Sequence, residues 1–249
     1  MKASVPMLSW VSDGWTEIGP QRSHNEDALL ERRDMLLWAV ADGMGGHSAG
    51  EVASGRIVDQ LSACALSERL GQCRLKVEAA LHRCHDGLAE YARQNTLGIV
   101  GSTAVVLVAR GNYCCVLWVG DSRAYRLRNG RLSMLTRDHS HVFELMDQGY
   151  ITAQQAEHHP QANAVTRAVG GSSPLRVDSL TFEVQPDDRF LLCSDGLSGS
   201  VVAGEMKAIL ASSQDHPGQQ LVTKAVQNNT PDNVTAVVIT ACRQDIATQ

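Results

Sequence analysis

The order of elements along the chain predicts an α/β fold of the α+β kind, with sheets covered on their outer faces by helices. Strand-length apolar runs open the chain, two amphipathic helices follow, and strands then dominate up to two late helices and a closing strand, with no regular βαβ alternation. Turn signals at Gly111-Asn112 and Asn129-Gly130 join neighbouring strands as hairpins. A length of 249 residues, 43% of them hydrophobic and 20% charged, suits a globular domain with a substantial core, and only three Phe, four Tyr and four Trp make that core aliphatic.

Residues 9–20 and 27–41 read as short strands, the second running into "LLWAVADG", an apolar run that stops at a turn. From Glu51 the period becomes helical: Ala53, Ile57, Leu61 and Ala65 recur at steps of four, then Val77, Leu81, Cys84, Leu88 and Tyr91 at steps of four and three. "STAVVLVAR" and "YCCVLWVGD" return to strands, followed by "SRAYRLRNGRLSML" as a hairpin. Residues 141–162 are polar and weakly periodic, an excursion carrying short helices. Strands resume at "LRVDSLTFEV" and "RFLLCSDG", helices at about 203–212 and 217–228, and "NVTAVVITACR" closes the chain as a strand. Neither an internal repeat nor a low-complexity segment interrupts residues 1–249, which read as one domain.

With 22 basic against 27 acidic residues the net charge is −5, so no basic patch advertises nucleic acid or a membrane surface. The apolar runs fall short of the roughly 20 residues that a bilayer needs, and Met1 to Gly14 lacks the pattern of a signal peptide. Seven cysteines, odd in number and without C-x-x-C spacing, fit reduced buried thiols. A cytoplasmic, monomeric protein is the expectation.

Three apolar strands each deliver an aspartate to a tight turn: Asp42 in "LLWAVADG", Asp121 in "CCVLWVGD" and Asp195 in "RFLLCSDG". Asp232 precedes a strand in "TPDNVTAVVI", and Glu26 and Asp27 do so in "SHNEDALL". One Asp-Gly pair is an ordinary turn. Five such sites would repel one another unless a cation neutralised them, and oxygen-only donors select Mg²⁺ or Mn²⁺ over zinc. The rival is a phosphate cradle at Gly43, Gly45, Gly46 and Gly50 ahead of a helix. It lacks both G-x-x-x-x-G-K-[ST] and G-x-G-x-x-G spacing.

Taken in order, "QRSHNEDAL", "VADGMGGHSAGEVAS", "GSTAVVLV", "VGDSRAYRLRNGRL", "LTRDHS", "NAVTRAVG", "LLCSDGLSG" and "DNVTAVVI" cover nearly the whole chain. Together they resemble the metal-dependent Ser/Thr protein phosphatases of the PP2C class in their compact bacterial form. The resemblance implies a four-layer α-β-β-α sandwich of two mainly antiparallel sheets, with a flap at about 141–162. It further implies two Mn²⁺ or Mg²⁺ ions, bridged by Asp42, with the Gly43 carbonyl on one and Asp195 and Asp232 on the other. Glu26 and Asp27 then act through bound waters, and Arg22 grips the substrate phosphate. A third, weaker ion falls to Asp121 and Asp195. The reaction implied is direct attack of metal-activated water on phosphoserine or phosphothreonine of proteins phosphorylated by a Ser/Thr kinase, the kinase included.

Two features depart from that pattern or stay open. Members with a DGHGG loop carry a histidine where this chain has Met44, so the leaving-group acid is unassigned, with His47 as the nearby candidate. His139, His141, His158 and His159 lack zinc-ligand company and read as solvated flap histidines. Cysteine-dependent phosphatase chemistry needs C-x₅-R, and no cysteine here has an arginine six residues on. A nuclease sits poorly with the acidic balance, and a non-catalytic binding module would lack a metal ligand that this chain retains.

Overall fold

The computed structural model describes residues 8–45, 49–157, 159–161 and 164–244. In chain order the elements are β1 (Leu8–Glu17), β2 (Asp27–Arg32), β3 (Leu37–Met44), α1 (Ala49–Ser62), α2 (Leu70–Gln94), β4 (Gly101–Ser102), β5 (Ala104–Arg110), β6 (Tyr113–Val119), β7 (Arg123–Arg128) and β8 (Arg131–Met134). They continue with α3 (His141–Asp147), α4 (Ala153–Glu157), β9 (Asp178–Glu183), β10 (Arg189–Cys193), α5 (Asp195–Ser198), α6 (Ala203–Ala211), α7 (Pro217–Gln227) and β11 (Val234–Arg243). One sheet runs β1-β11-β10-β7-β8 and the other β2-β3-β5-β6-β9, with β4 beside the end of β3. Every described pairing is antiparallel.

Side-chain alternation explains the stacking. Along β3, Trp38 and Val40 face the other sheet, while Leu37, Ala39 and Ala41 face α1 and α2. Trp38, Val105, Leu107, Phe190, Leu192, Val237 and Ile239 fill the space between the sheets, where each large side chain contributes roughly 1.5–3 kcal/mol. Ile57, Leu61, Val77, Leu81 and Leu88 seal one outer face. Leu197, Met206, Leu210, Leu221 and Val222 seal the other against Leu191, Ala236 and Val238. These three clusters make the four layers α-β-β-α.

Two hairpins are as expected. Gly111 (φ +55°) turns β5 into β6, and Asn129 (φ +50°) with Gly130 (φ +71°) turns β7 into β8, where left-handed backbone favours those residue types. The single strand expected over 27–41 is instead two. A 3₁₀ turn at Arg33–Met35 and a left-handed Leu36 (φ 46°) reverse the chain, with the Arg32 guanidinium clasping Asp34 at 2.7 and 2.9 Å. That reversal pairs Asp27 directly with Asp42. The strand expected over 9–20 ends at Glu17, and Ala65 lies beyond α1 while Cys64 is the buried residue there.

Candidate active site

A pocket of about 380 Å³ opens where the ends of both sheets meet. Its lining includes Arg22, Glu26, Asp42, Gly43, Asp121, Asp195, Asp232 and Asn233. Asp42 comes from β3 and Asp121 follows β6, both of one sheet. Asp195 follows β10 and Asp232 precedes β11, both of the other. Apolar strands packed on both faces cannot shift to relieve repulsion, so the sandwich holds like charges together.

The electrostatics register that crowding. Burial first, and then the neighbouring carboxylates, raise the pKa of Asp27 to about 7 and that of Asp42 well above its ordinary value. Asp121 is likewise pushed up to about 7 by burial and by Asp195, and Asp195 is raised by burial and by Asp232. Asp27, Asp121, Asp195 and Asp232 all raise Asp42, which places it electrostatically at the centre. Buried oxygens Oδ1 of Asp27 and Oδ1 of Asp195 have no hydrogen-bond partner, a costly state for a carboxylate unless something else takes the lone pairs.

The glycine-rich turn owes its composition to packing. A Cβ on Gly43 would lie 2.1 Å from the Gly50 carbonyl oxygen, and one on Gly50 would lie 2.4 Å from Glu26 Oε1. Bare backbone therefore lets the first turn of α1 abut the end of β3. Thr103 supports the same turn: its hydroxyl accepts from the Asp42 amide (3.1 Å) and bonds the Ser122 hydroxyl (2.7 Å) beside Asp121. Arg22 reaches the pocket from the loop after β1, donating to Asp232 Oδ2 at 2.6 Å and to the Pro231 carbonyl at 3.3 Å.

The Asp121 loop is tied to the chain that enters the flap. Trp118 Nε1 donates to the Arg137 carbonyl (2.8 Å), and Arg123 grips Asp138 at 2.7–3.1 Å. The Gly120 amide donates to His139 Nδ1 (3.1 Å), so the ring proton sits on Nε2 and is shared with Asp178 (3.1 Å). Ser140 then caps α3.

The protein phosphatase 2C family model matches residues 20–234. This chain belongs to the protein phosphatase 2C family of serine/threonine protein phosphatases. It is 36% identical over 234 residues to the serine/threonine phosphatase stp of Listeria welshimeri, across 90% of this chain and 93% of that one. It is 36% identical over 222 residues to PstP of Mycobacterium tuberculosis, across 88% of this chain but only 43% of PstP, less than half that protein's length. Among solved structures, PppA of Pseudomonas aeruginosa superposes with a TM-score of 0.88 at 39% identity, covering 94% of this chain and 99% of that one. The catalytic domain of PstP, solved with two manganese ions, superposes with a TM-score of 0.85 at 31% identity, over 94% and 99% of the two chains.

The residues of this PP2C chain fit such ions. The donors are all oxygen, the set that hard divalent cations take, and two of them are buried without partners. Among the described residues no three His, Cys, Asp or Glu side chains are already closed on one point. Asp232 pairs with the guanidinium of Arg22 at 2.6 Å.

Arg22, Glu26, Asp42, Gly43, Asp121, Asp195 and Asp232 all line this pocket, and Asp27 lies beside it, paired with Asp42. His47 and His158 lie outside the described residues. His139 is a correction: it is 5% exposed, stacked on Trp118 and bonded on both nitrogens, because its segment packs under the Asp121 loop before the flap begins. Burial lowers its pKa and keeps it neutral. Thr103, Val165 and Asn233 also line the pocket and escaped sequence reasoning, although "GST" and "DN" carry two of them, and Met44, read from sequence as the departure from DGHGG, lines it too. No described helix is long and apolar enough to cross a membrane.

Proposed function

We propose that the enzyme hydrolyses phosphoserine and phosphothreonine of other proteins by direct attack of water, with two Mn²⁺ or Mg²⁺ ions held by Asp42, the Gly43 carbonyl, Asp195 and Asp232. When bound, such ions would acidify water and offset charge on the phosphoryl oxygens. Asp42, at the electrostatic centre of the group, is the carboxylate suited to serve both. Glu26 and Asp27 order waters around them, and Arg22 offers a planar two-pronged donor to the phosphate. Asp121 and Asp195 supply a third, weaker site. His47, four residues after Gly43 in sequence, is the candidate donor of a proton to the leaving hydroxyl. The substrates are products of a Ser/Thr kinase, the kinase included.

The observation that carries this reading is a pocket crowded with carboxylates and, among its described lining residues, without a cysteine. Cys193, the nearest cysteine in sequence to Asp195, is fully buried with its thiol pushed up to about 12. A phosphothreonine peptide assay tests it. Turnover should require added Mn²⁺ or Mg²⁺, vanish in excess EDTA and return when metal is restored, whereas robust turnover in EDTA would overturn the proposal.

A further inference from the structure

We infer that Asn233 is a positioning residue for Arg22, and so for the phosphate of the substrate; this rests on the reading of Arg22 as the phosphate's partner. Arg22 sits on an irregular loop, residues 18–26, whose side chains from residue 20 to residue 24 are all exposed. Its own side chain is 46% exposed, so packing does little to aim it. Such a loop would wander on fast timescales unless its backbone were tied to the sandwich.

Asn233 supplies that tie at both ends. Its side-chain Nδ2 donates to the Ile18 carbonyl at 2.7 Å and to the His24 carbonyl at 2.8 Å, and its Oδ1 accepts from the Glu26 amide at 2.8 Å. Three of the four hydrogen bonds open to an Asn amide are thereby spent on one loop. The residue is 5% exposed, where bonds to water cannot replace them. A second contact narrows the loop's freedom. Gly19 (φ +79°) lies so close to the Asp232 carbonyl that a Cβ there would come within 2.2 Å of its oxygen. Between these anchors Arg22 has one short arc from which to reach the pocket. A side chain at 233 without that donor pair would leave the Ile18 and His24 carbonyls without this partner and the arc undefined.

The inference is distinct from support of Asp232. Only the backbone amide of residue 233 touches that carboxylate, at 2.8 Å, and it survives any substitution except proline. The Asn233 side chain touches the proposed metal site only through the Glu26 backbone amide, so its main effect falls on Arg22.

The test is a double-mutant cycle on the full chain. Asn233→Ala and Asn233→Ser, each in wild-type and Arg22→Ala backgrounds, are assayed for kcat, KM on a phosphothreonine peptide, competitive inhibition by inorganic phosphate, and the Mn²⁺ concentration for half-maximal turnover. Asn233→Ser removes the donor pair without adding charge to the acidic pocket and keeps one hydroxyl able to bond within the loop, so it reports even where Asn233→Ala fails to fold. Misplacing a binding group by about 1 Å costs up to 10²-fold, so KM and the phosphate inhibition constant should each rise about tenfold, with kcat changed much less. The Mn²⁺ requirement should move less than KM does. In the Arg22→Ala background the Asn233 changes should add almost nothing, because the group they position is gone. Equal effects in both backgrounds, a Mn²⁺ requirement that moves more than KM, or an unchanged KM in the Asn233 variants would each overturn the inference. An unchanged KM in Arg22→Ala itself would instead overturn the assignment of Arg22.

Discussion

Asp121 reaches the pocket from the same sheet as Asp42, yet it is anchored differently, through the strap that leads into the flap. With only Asp121 and Asp195 as proposed protein ligands, a third cation there should bind weakly, since affinity for hard ions follows ligand charge and number. Asp121→Ala should therefore keep two tight sites while the Mn²⁺ dependence of turnover moves up by about tenfold, the scale seen when support of a metal site is lost. Superimposable Mn²⁺ titrations for variant and wild type would reduce Asp121 to a turn residue. At this scale the acidic residues were legible because each stands where an apolar strand stops. Asn233 and Thr103 were not, because their work lies in hydrogen bonds between segments distant in sequence: Asn233 to Ile18 and His24, and Thr103 to Asp42 and Ser122.

At the scale of elements, the strap from Leu135 to Ser140 joins the Asp121 loop to α3. His139 is its keystone: it takes the Gly120 amide on Nδ1 and Asp178 on Nε2, while its backbone carbonyl accepts from Thr166 where the chain leaves the flap. Arg167 also approaches Asp178 at 3.4 Å. His139→Ala strands a buried amide and empties the space against Trp118, so it should cost about 2–4 kcal/mol of stability. It should also speed hydrogen exchange at the Gly120 amide, and full protection of that amide in the variant would show that the ring is not its partner. Periodicity found most elements, among them the two long helices and both two-residue hairpins. It missed the reversal at Arg33–Met35, where an apolar run on either side of one charged turn reads as a single strand. It also misjudged His139, since a polar neighbourhood in sequence says nothing of burial set by β6 and β9.

Across the whole molecule, the two sheets trade stability for a crowded acidic centre. Asp27 and Asp121, both held at about 7, have pKa values raised above those of an unfolded chain, and Asp42 and Asp195 are shifted in the same direction. The folded state thus binds more protons than the unfolded state, and stability falls as pH rises through about 7. Metal-free protein should accordingly melt lower at about pH 8.5 than at about pH 6.5, with the four raised carboxylates outweighing the opposite contribution of the single lowered histidine, His139. Mn²⁺ should raise the melting temperature most at the higher pH, because cations replace the missing protons. A metal-free melting temperature that is flat or rising across that window would contradict the crowding. The layer order was legible from alternation and helix spacing, whereas the convergence of both sheets' ends on one pocket depends on topology, in which β11 pairs with β1 and β10.

The expectations that involve metal rest on the proposal that Asp42 holds the cations. Calorimetric titration of Mn²⁺ into wild type and Asp42→Asn, with phosphothreonine turnover measured on the same samples, tests that dependence most directly. Asn keeps the side-chain volume and removes one of the repelling charges, so the variant should fold at least as well without metal. Wild type should show two tight sites; Asp42→Asn should lose both and turn over about 10³-fold more slowly, equivalent to about 4 kcal/mol of barrier. Two tight sites and near-normal turnover at saturating Mn²⁺ in the variant would contradict it.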